Sequence, residues 1–514
     1  MTLLRRSWFL PLLLVAYALR ILNLTGESLW RDEVDIVRFA TLPLSNLVQN
    51  FPRAGFNGPL YLLLMRGWFD LVGISDFSLR YFSLVFSVLL IALVYVLARR
   101  LFGVSAARLS TLFMVVSPVH IWYAGEGKMY TLQPALLILA LYALVRALAQ
   151  TNRSPDFTQT PSKHTSLWWI TLLLSASMAF YVHLLSPIVI LVLAVWVGLN
   201  WSLARQSLRP LLITLGLLTG PYVPLLIWQW PTLLKGGSSG HAFVPLDTLL
   251  NALLYDWSIG FGSGAPLFFM LQPEQVRWVT AGLFLALAGL GAALRLSSAP
   301  RAIGMTVSWL FLPALAVFAI SLRVPVFQPR YLLWCAPALY VLMGNLAATP
   351  HPARWFMRAA MALSIAVAVL GVAAQISTPI RPDIRGASAF IASHAQPGDV
   401  LIFQIPYGRY GVEYYLQHSA FSLQLSGLGI AEAPYTNYGM SQAELANELW
   451  RGIGPAQRIW LVETEAEMWD EQGLVRAWFD QTLPLVQKMD FRGVRLSLHQ
   501  TTLDKRLYVP TMQR

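Results

Sequence analysis

Charge is the scarcest property of this chain. Only 12% of its 514 residues are charged and 56% are hydrophobic, with a mean hydropathy of +0.56. Soluble domains carry about 25% charged residues, so a soluble enzyme is excluded and a polytopic α-helical membrane protein is expected. Cysteine is nearly missing as well. The single Cys335 excludes an intrachain disulfide and a thiolate metal cluster. Neither an EF-hand pattern nor a Walker loop occurs, which removes the simplest route to an ATP-driven pump. The formal net charge of +12 does not point to nucleic acid, because Lys and Arg fill the cytoplasmic loops of membrane proteins.

Acids are rarest in the first three quarters of the chain. Eleven of the 25 precede residue 378, and four of those eleven fall in Glu27-Ser28-Leu29-Trp30-Arg31-Asp32-Glu33-Val34-Asp35. This stretch follows directly on the first apolar segment. It reads either as a solvated loop outside a transmembrane helix or as a catalytic carboxylate held at the membrane–water boundary.

Apolar stretches near the roughly 20 residues needed to span a bilayer fall at 7–24, 80–98, 105–122, 131–149, 167–182, 185–202, 211–228, 278–295, 303–321, 331–348 and 356–375. They predict about eleven transmembrane helices. Arg5-Arg6 followed by an apolar run resembles a signal peptide, but the many later spans favour an uncleaved anchor. A twelfth stretch, 57–73, contains Arg66 and Asp70 and is read as an interfacial helix in the first outer loop. With the N-terminus inside, the connections holding Arg99/Arg100/Arg108, Arg146/Arg153/Lys163, Arg205/Arg209, Arg295/Arg301 and Arg354/Arg358 all face the cytoplasm, as the positive-inside rule asks. Every acid before residue 378 except Asp156 then faces outward. The second long outer loop, 229–277, carries the flexible run Lys235-Gly236-Gly237-Ser238-Ser239-Gly240. The expected domains are a transmembrane catalytic domain over 1–377 and an extracytoplasmic domain over 378–514. In the latter, strands near 399–404 and 458–462 alternate with helices near 412–417 and 474–482, which predicts a small α/β fold.

This topology gathers polar groups at one membrane edge: Asp32 and Glu33, Asn57 and Tyr61 at the start of the surface helix, Glu126, Lys128 and Tyr130, His183, and Arg330 with Tyr331. Ionisable groups so close to a membrane mark functional sites. Carboxylates take protons, and Lys128 and Arg330 hold an anion such as the phosphate of a lipid head group. Together these parts suit transfer of a group from a lipid phosphate to an alcohol. No cofactor is demanded by the pattern. His120 and His241 with Glu126 or Glu33 offer nitrogen and oxygen ligands for a divalent ion, although no spacing requires one.

An ordered set of short motifs carries a family resemblance. It comprises Trp30-Arg31-Asp32-Glu33, Pro59-Leu60-Tyr61, Ser78-Leu79-Arg80, Ala98-Arg99-Arg100-Leu101-Phe102-Gly103, Ser117-Pro118-Val119-His120-Ile121-Trp122-Tyr123, Glu126-Gly127-Lys128-Met129-Tyr130 and Pro329-Arg330-Tyr331. Over roughly residues 7–350 the chain resembles the GT-C superfamily of membrane glycosyltransferases, in particular bacterial relatives of the protein O-mannosyltransferases and of the aminoarabinose transferase that modifies lipid A. The resemblance implies a polyprenyl-phosphate sugar donor, an acceptor hydroxyl on a glycan, lipid or protein, and inversion at the sugar C1. It implies Asp32 as base, Glu33 as its support or an acceptor contact, and Lys128 and Arg330 with Tyr331 on the lipid phosphate. Two positions depart from the family pattern: Lys128 stands where relatives carry Arg, and Asn57-Gly58 where they carry Lys or His, leaving Arg53 or Arg66 as substitutes. A lipid-linked sugar transporter or flippase is the alternative, but it should hold its polar groups at the bilayer midplane within inverted repeats. A non-catalytic envelope assembly protein is the third reading.

Overall fold

The computed structural model describes residues 8–53, 56–151, 163–235, 242–260, 273–348, 352, 354–418, 427–434, 439–465, 470 and 472–501. Arg153, Asp156, the run 236–240 and His241 lie outside them. The chain forms two compact units, Met1–Leu24 with Phe39–Thr378, and Thr25–Arg38 with Pro379–Arg514. The long segment of the first unit ends at Thr378. The second unit, however, also takes in the first-loop segment.

The helices run α1 (Phe9–Ile21), α2 (Arg31–Ala40), α3 (Leu44–Asn50), α4 (Pro59–Val72), α5 (Asp76–Phe102), α6 (Val104–Val116), α7 (Pro118–Ala124), α8 (Leu132–Thr151) and α9 (Lys163–Val182). They continue with α10 (Val189–Leu199), α11 (Trp201–Ala204), α12 (Leu208–Lys235), α13 (Leu246–Ser258), α14 (Pro273–Leu296), α15 (Pro300–Ser321), α16 (Ala336–Gly344) and α17 (Arg354–Ser377). Each of the eleven apolar stretches is helical over most of its described length. Six helices are long and apolar enough to cross a membrane among the described residues, and the α6–α7 pair, bent by 56°, makes a seventh if taken as one span. The chain is a multi-pass membrane protein.

Local chemistry sets the breaks. α4 starts after Gly58, whose φ of +77° suits glycine, with Pro59 at its first position. At 14 residues it is about 21 Å long, shorter than a span. A Ser75–Ser78 capping box starts α5. Pro118 follows the extended Ser117 and starts the bent continuation α7. Arg20 of α1 is buried and donates to Ser87 Oγ at 2.8 Å and to the carbonyls of Val115 and Met114 at 3.2 and 3.0 Å, capping the end of α6. α16 is buried at all nine positions, as a helix apolar all round should be. It approaches α6 closely, since a Cβ on Gly344 would stand 2.6 Å from the Ala106 carbonyl oxygen.

The second unit holds α18 (Ile384–His394), β1 (Val400–Phe403), α19 (Gly408–Gln417), β2 (Gly429–Glu432), α20 (Gln442–Ile453), β3 (Arg458–Thr464), α21 (Leu474–Thr482), β4 (Leu485–Phe491) and β5 (Val494–Gln500). Its five-stranded sheet has the order β2-β1-β3-β5-β4. β1 pairs in parallel with β2 and β3, Val400 standing opposite Gly429 and Ile459. β5 runs antiparallel to both β3 and β4. Val400, Ile402, Ile459 and Leu461 pack with Leu445, Leu449, Val475 and Phe479 of α20 and α21 to form its core. The α/β class expected from alternating strands and helices is the one observed.

Candidate active site

In the first unit, three separate segments meet around His183. The turn after α9 carries His183, the turn between α7 and α8 carries Glu126, Lys128 and Tyr130, and the turn before α16 carries Arg330 and Tyr331. The His183 ring lies 4.7 Å from Tyr331 and 6.4 Å from Tyr130, and Tyr130 lies 6.3 Å from Tyr331. The Arg330 guanidinium sits over the Tyr130 and Tyr331 rings at 5.6 and 5.7 Å. Backbone bonds fix the lysine turn: the Lys128 N–H donates to the Glu126 carbonyl at 2.7 Å, and Ser83 Oγ donates to the Lys128 carbonyl at 3.1 Å.

His183 is 1% exposed. Burial, then Arg330 and Lys128, push its pKa down to about 3, so the ring is neutral. Its Nδ1 accepts from the Leu185 N–H at 3.1 Å. The remaining proton therefore resides on Nε2, which has no hydrogen-bond partner among the described residues. A buried N–H donor without an acceptor thus stands in the field of two cations. The start of α4 is tied to the same turn. Asn57 Oδ1 accepts from the Leu184 N–H at 3.0 Å, and a Cβ on Gly58 would meet Met129 Cε at 2.9 Å. Tyr61 is fully buried, its ring 5.9 Å from Phe82. Arg66 donates to the carbonyls of Ala40 and Leu42, and Arg53 is exposed.

Asp32 and Glu33 belong to the second unit. Both lie in the first turn of α2, where the helix N-terminus favours carboxylates. Glu33 is fully buried; its Oε2 accepts from the Trp30 N–H at 3.3 Å and lies 3.3 Å from Arg381 Nη1. Arg381 Nε is 3.6 Å from Glu27 Oε2, and Glu27 Oε1 accepts from the Ile380 N–H at 2.7 Å. Ser28 Oγ accepts from the Arg385 N–H at 3.0 Å, and the Leu29 N–H donates to the Tyr415 hydroxyl at 2.6 Å. Arg31 Nη1 lies 3.5 Å from Glu465 Oε2, its guanidinium 4.7 Å from the centre of the Tyr407 ring. Burial opposes its charge, but Glu465, Tyr407 and Asp32 outweigh burial and raise its pKa. Asp32 keeps 21% of its side chain exposed.

Sequence reasoning did not find Arg381, Arg385, Tyr407, Tyr415 or Glu465. The one available signal was Arg381-Pro382-Asp383-Ile384-Arg385, a charge cluster directly after the last apolar stretch. Among the described residues no three of His, Cys, Asp or Glu gather to hold a metal ion. His120, in α7, is bonded through Nδ1 to Ser117 Oγ at 2.9 Å.

The comparisons with known proteins agree with this architecture. Residues 57–228 match the family model described as dolichyl-phosphate-mannose-protein mannosyltransferase. The fold is similar to that of ArnT from Cupriavidus metallidurans, at 15% identity and a TM-score of 0.57, over 96% of this chain and 98% of that one. ArnT bound to undecaprenyl phosphate is similar at 15% identity and 0.52, with the same coverage. The Archaeoglobus fulgidus oligosaccharyltransferase AglB, in complex with an inhibitory peptide and a dolichol-phosphate, is similar at 13% identity and 0.56, over 97% of this chain and 75% of that one. No curated protein matches in sequence. The family match and the shared fold support a membrane glycosyltransferase of the GT-C class.

Proposed function

We propose that this protein is an inverting glycosyltransferase that moves a sugar from a polyprenyl-phosphate sugar to an acceptor hydroxyl on the outer side of the cytoplasmic membrane. The observation that carries the reading is the unspent Nε2–H of neutral His183, buried beside Arg330 and Lys128. A phosphate oxygen supplies the acceptor that this donor lacks and the charge that both cations oppose. Lys128 acts as a compact point charge and Arg330 as a planar fork. The family match and the lipid phosphates bound by the structural neighbours support the donor class.

In the transfer, the acceptor oxygen forms a bond to the sugar C1 on the face opposite the phosphate. The C1–O bond to phosphate breaks, and its electron pair leaves with the phosphate, whose charge Lys128 and Arg330 stabilise. Asp32, the more accessible member of the first-loop pair, takes the acceptor proton. Glu33 is buried and serves to hold that segment. Asn57 fixes the turn carrying His183, while Tyr130 and Tyr331 flank Arg330. Tyr61, in the opening turn of α4, and Glu126, in the turn between α7 and α8, are both buried. The charge distribution supports a cytoplasmic N-terminus and an extracytoplasmic C-terminal domain. The acceptor is a hydroxyl of a glycan, lipid or protein.

Binding of undecaprenyl phosphate and of undecaprenol to the purified protein in nanodiscs tests this reading. The phosphate should bind at least about 10-fold tighter, and the Lys128→Met/Arg330→Met double variant should lose that preference, as expected for charge-assisted bonds. Release of free polyprenyl phosphate from a panel of polyprenyl-phosphate sugars, mannose first, in the presence of a cell-envelope extract that supplies the acceptor hydroxyl, separates a transferase from a transporter. Equal binding of both lipids, or no release from any donor, contradicts it.

A further inference from the structure

We propose that the α/β unit is the holder of the first-loop carboxylate, and that Arg381 is the positioning residue that fixes Asp32 by bridging Glu27 and Glu33. The inference rests on the reading of Asp32 as base. It adds a function for the unit and a residue outside the reacting groups.

Three observations converge. First, Arg381 is the shared cation of two carboxylates, 3.6 Å from Glu27 and 3.3 Å from Glu33. Its side chain is 8% exposed and that of Glu33 is 0% exposed. A buried carboxylate that loses a cation is destabilised, so Arg381 stabilises Glu33 in its buried position. Arg381 is itself anchored, because its carbonyl accepts from Arg492 Nε at 2.7 Å. Second, the segment on the N-terminal side of Asp32 is tied through two side chains and one backbone N–H. Ile380, Arg385 and Tyr415 bond Glu27, Ser28 and Leu29 in turn. Asp32 therefore follows a run of restrained residues and opens a helix whose next residue is buried. Third, Arg31 fills a distinctive place in the sheet. In doubly wound sheets ligands bind outside the carboxyl ends of the strands, where the strand order reverses. Here the order β2-β1-β3 reverses at β1. Tyr407 and Glu465 stand just beyond β1 and β3, and the Arg31 guanidinium lies against both. The edge where such a sheet takes a ligand takes the first loop of its own chain.

The test uses full-length protein in nanodiscs and two readouts. Amide hydrogen exchange over residues 27–38 reads the hold directly, independently of chemistry. In Arg381→Met these amides should exchange at least about 10-fold faster, while the β1 and β3 amides keep their protection. Turnover with the polyprenyl-phosphate sugar that gives wild-type release should fall about 10- to 100-fold in kcat, with the donor KM within about 2-fold. Adding Glu33→Gln to Arg381→Met removes the buried carboxylate that Arg381 faced and should recover part of both readouts. Tyr415→Phe, which leaves all charges in place, is the milder probe should Arg381→Met fail to fold, and it should speed exchange at residues 27–38 alone. Unchanged exchange in either single variant that folds overturns the hold. Faster exchange with unchanged kcat, in a protein that Asp32→Asn inactivates, overturns the positioning role. Full activity of Asp32→Asn instead refutes the base assignment, whatever the exchange shows.

Discussion

Burial holds the His183 ring neutral, and the charges of Arg330 and Lys128 act in the same direction. The sign of the pH dependence follows. The folded-state pKa is about 3 against roughly 6.5 in an unfolded chain. Below pH 6.5 the unfolded state takes up a proton that the folded state refuses. Stability from this group is therefore complete above pH 6.5 and is lost as pH falls towards 3, by up to about 1.4 kcal/mol per pH unit. Thermal melting of the purified protein between pH 7 and 5 should show a falling midpoint, and His183→Gln should flatten the fall. A slope unchanged in the variant would assign the loss to other groups. At this scale the sequence displayed the acids of the first loop, because acids are scarce around them. It did not display that Glu33 is buried against Arg381, since nothing in a run of residues states which one of two neighbouring carboxylates turns inward.

The helices were the most legible elements. Apolar runs of near-spanning length have no other stable backbone in a bilayer, and each became helical. Their packing was not legible, because it depends on small residues whose sequence signal is weak. Gly344 is such a position, a Cβ there standing 2.6 Å from the Ala106 carbonyl oxygen. Gly344→Val forces α16 away from α6 and should lower the melting temperature sharply in detergent, with a cost of about 1–3 kcal/mol or more for overpacking. A melting temperature within a degree of wild type would show that the two helices separate freely. In the α/β unit the buried strands β1 and β3 stood out as short apolar runs. α20 and the β4–β5 hairpin did not, because α20 buries only Leu445, Leu449 and Ile453 among polar residues and most positions of β4 are exposed.

For the whole molecule, sequence distance hides the arrangement most. Tyr130, His183 and Tyr331 come together from three turns as much as 201 residues apart, and Glu33 finds Arg381 across 348 residues. The resemblance named most residues of the first set because ordered motifs survive divergence. It named none of the α/β residues that hold the first loop. The division of the chain explains why: the catalytic carboxylate is proposed on the smaller unit, which incorporates Thr25–Arg38, and the phosphate-binding groups on the larger. The most direct measurement is sugar transfer by wild type and Asp32→Asn at equal amounts of folded protein, from the same polyprenyl-phosphate sugar. Loss of the base predicts a fall in kcat of about 10²–10⁴-fold with undecaprenyl phosphate binding intact. Wild-type turnover in Asp32→Asn would contradict the account.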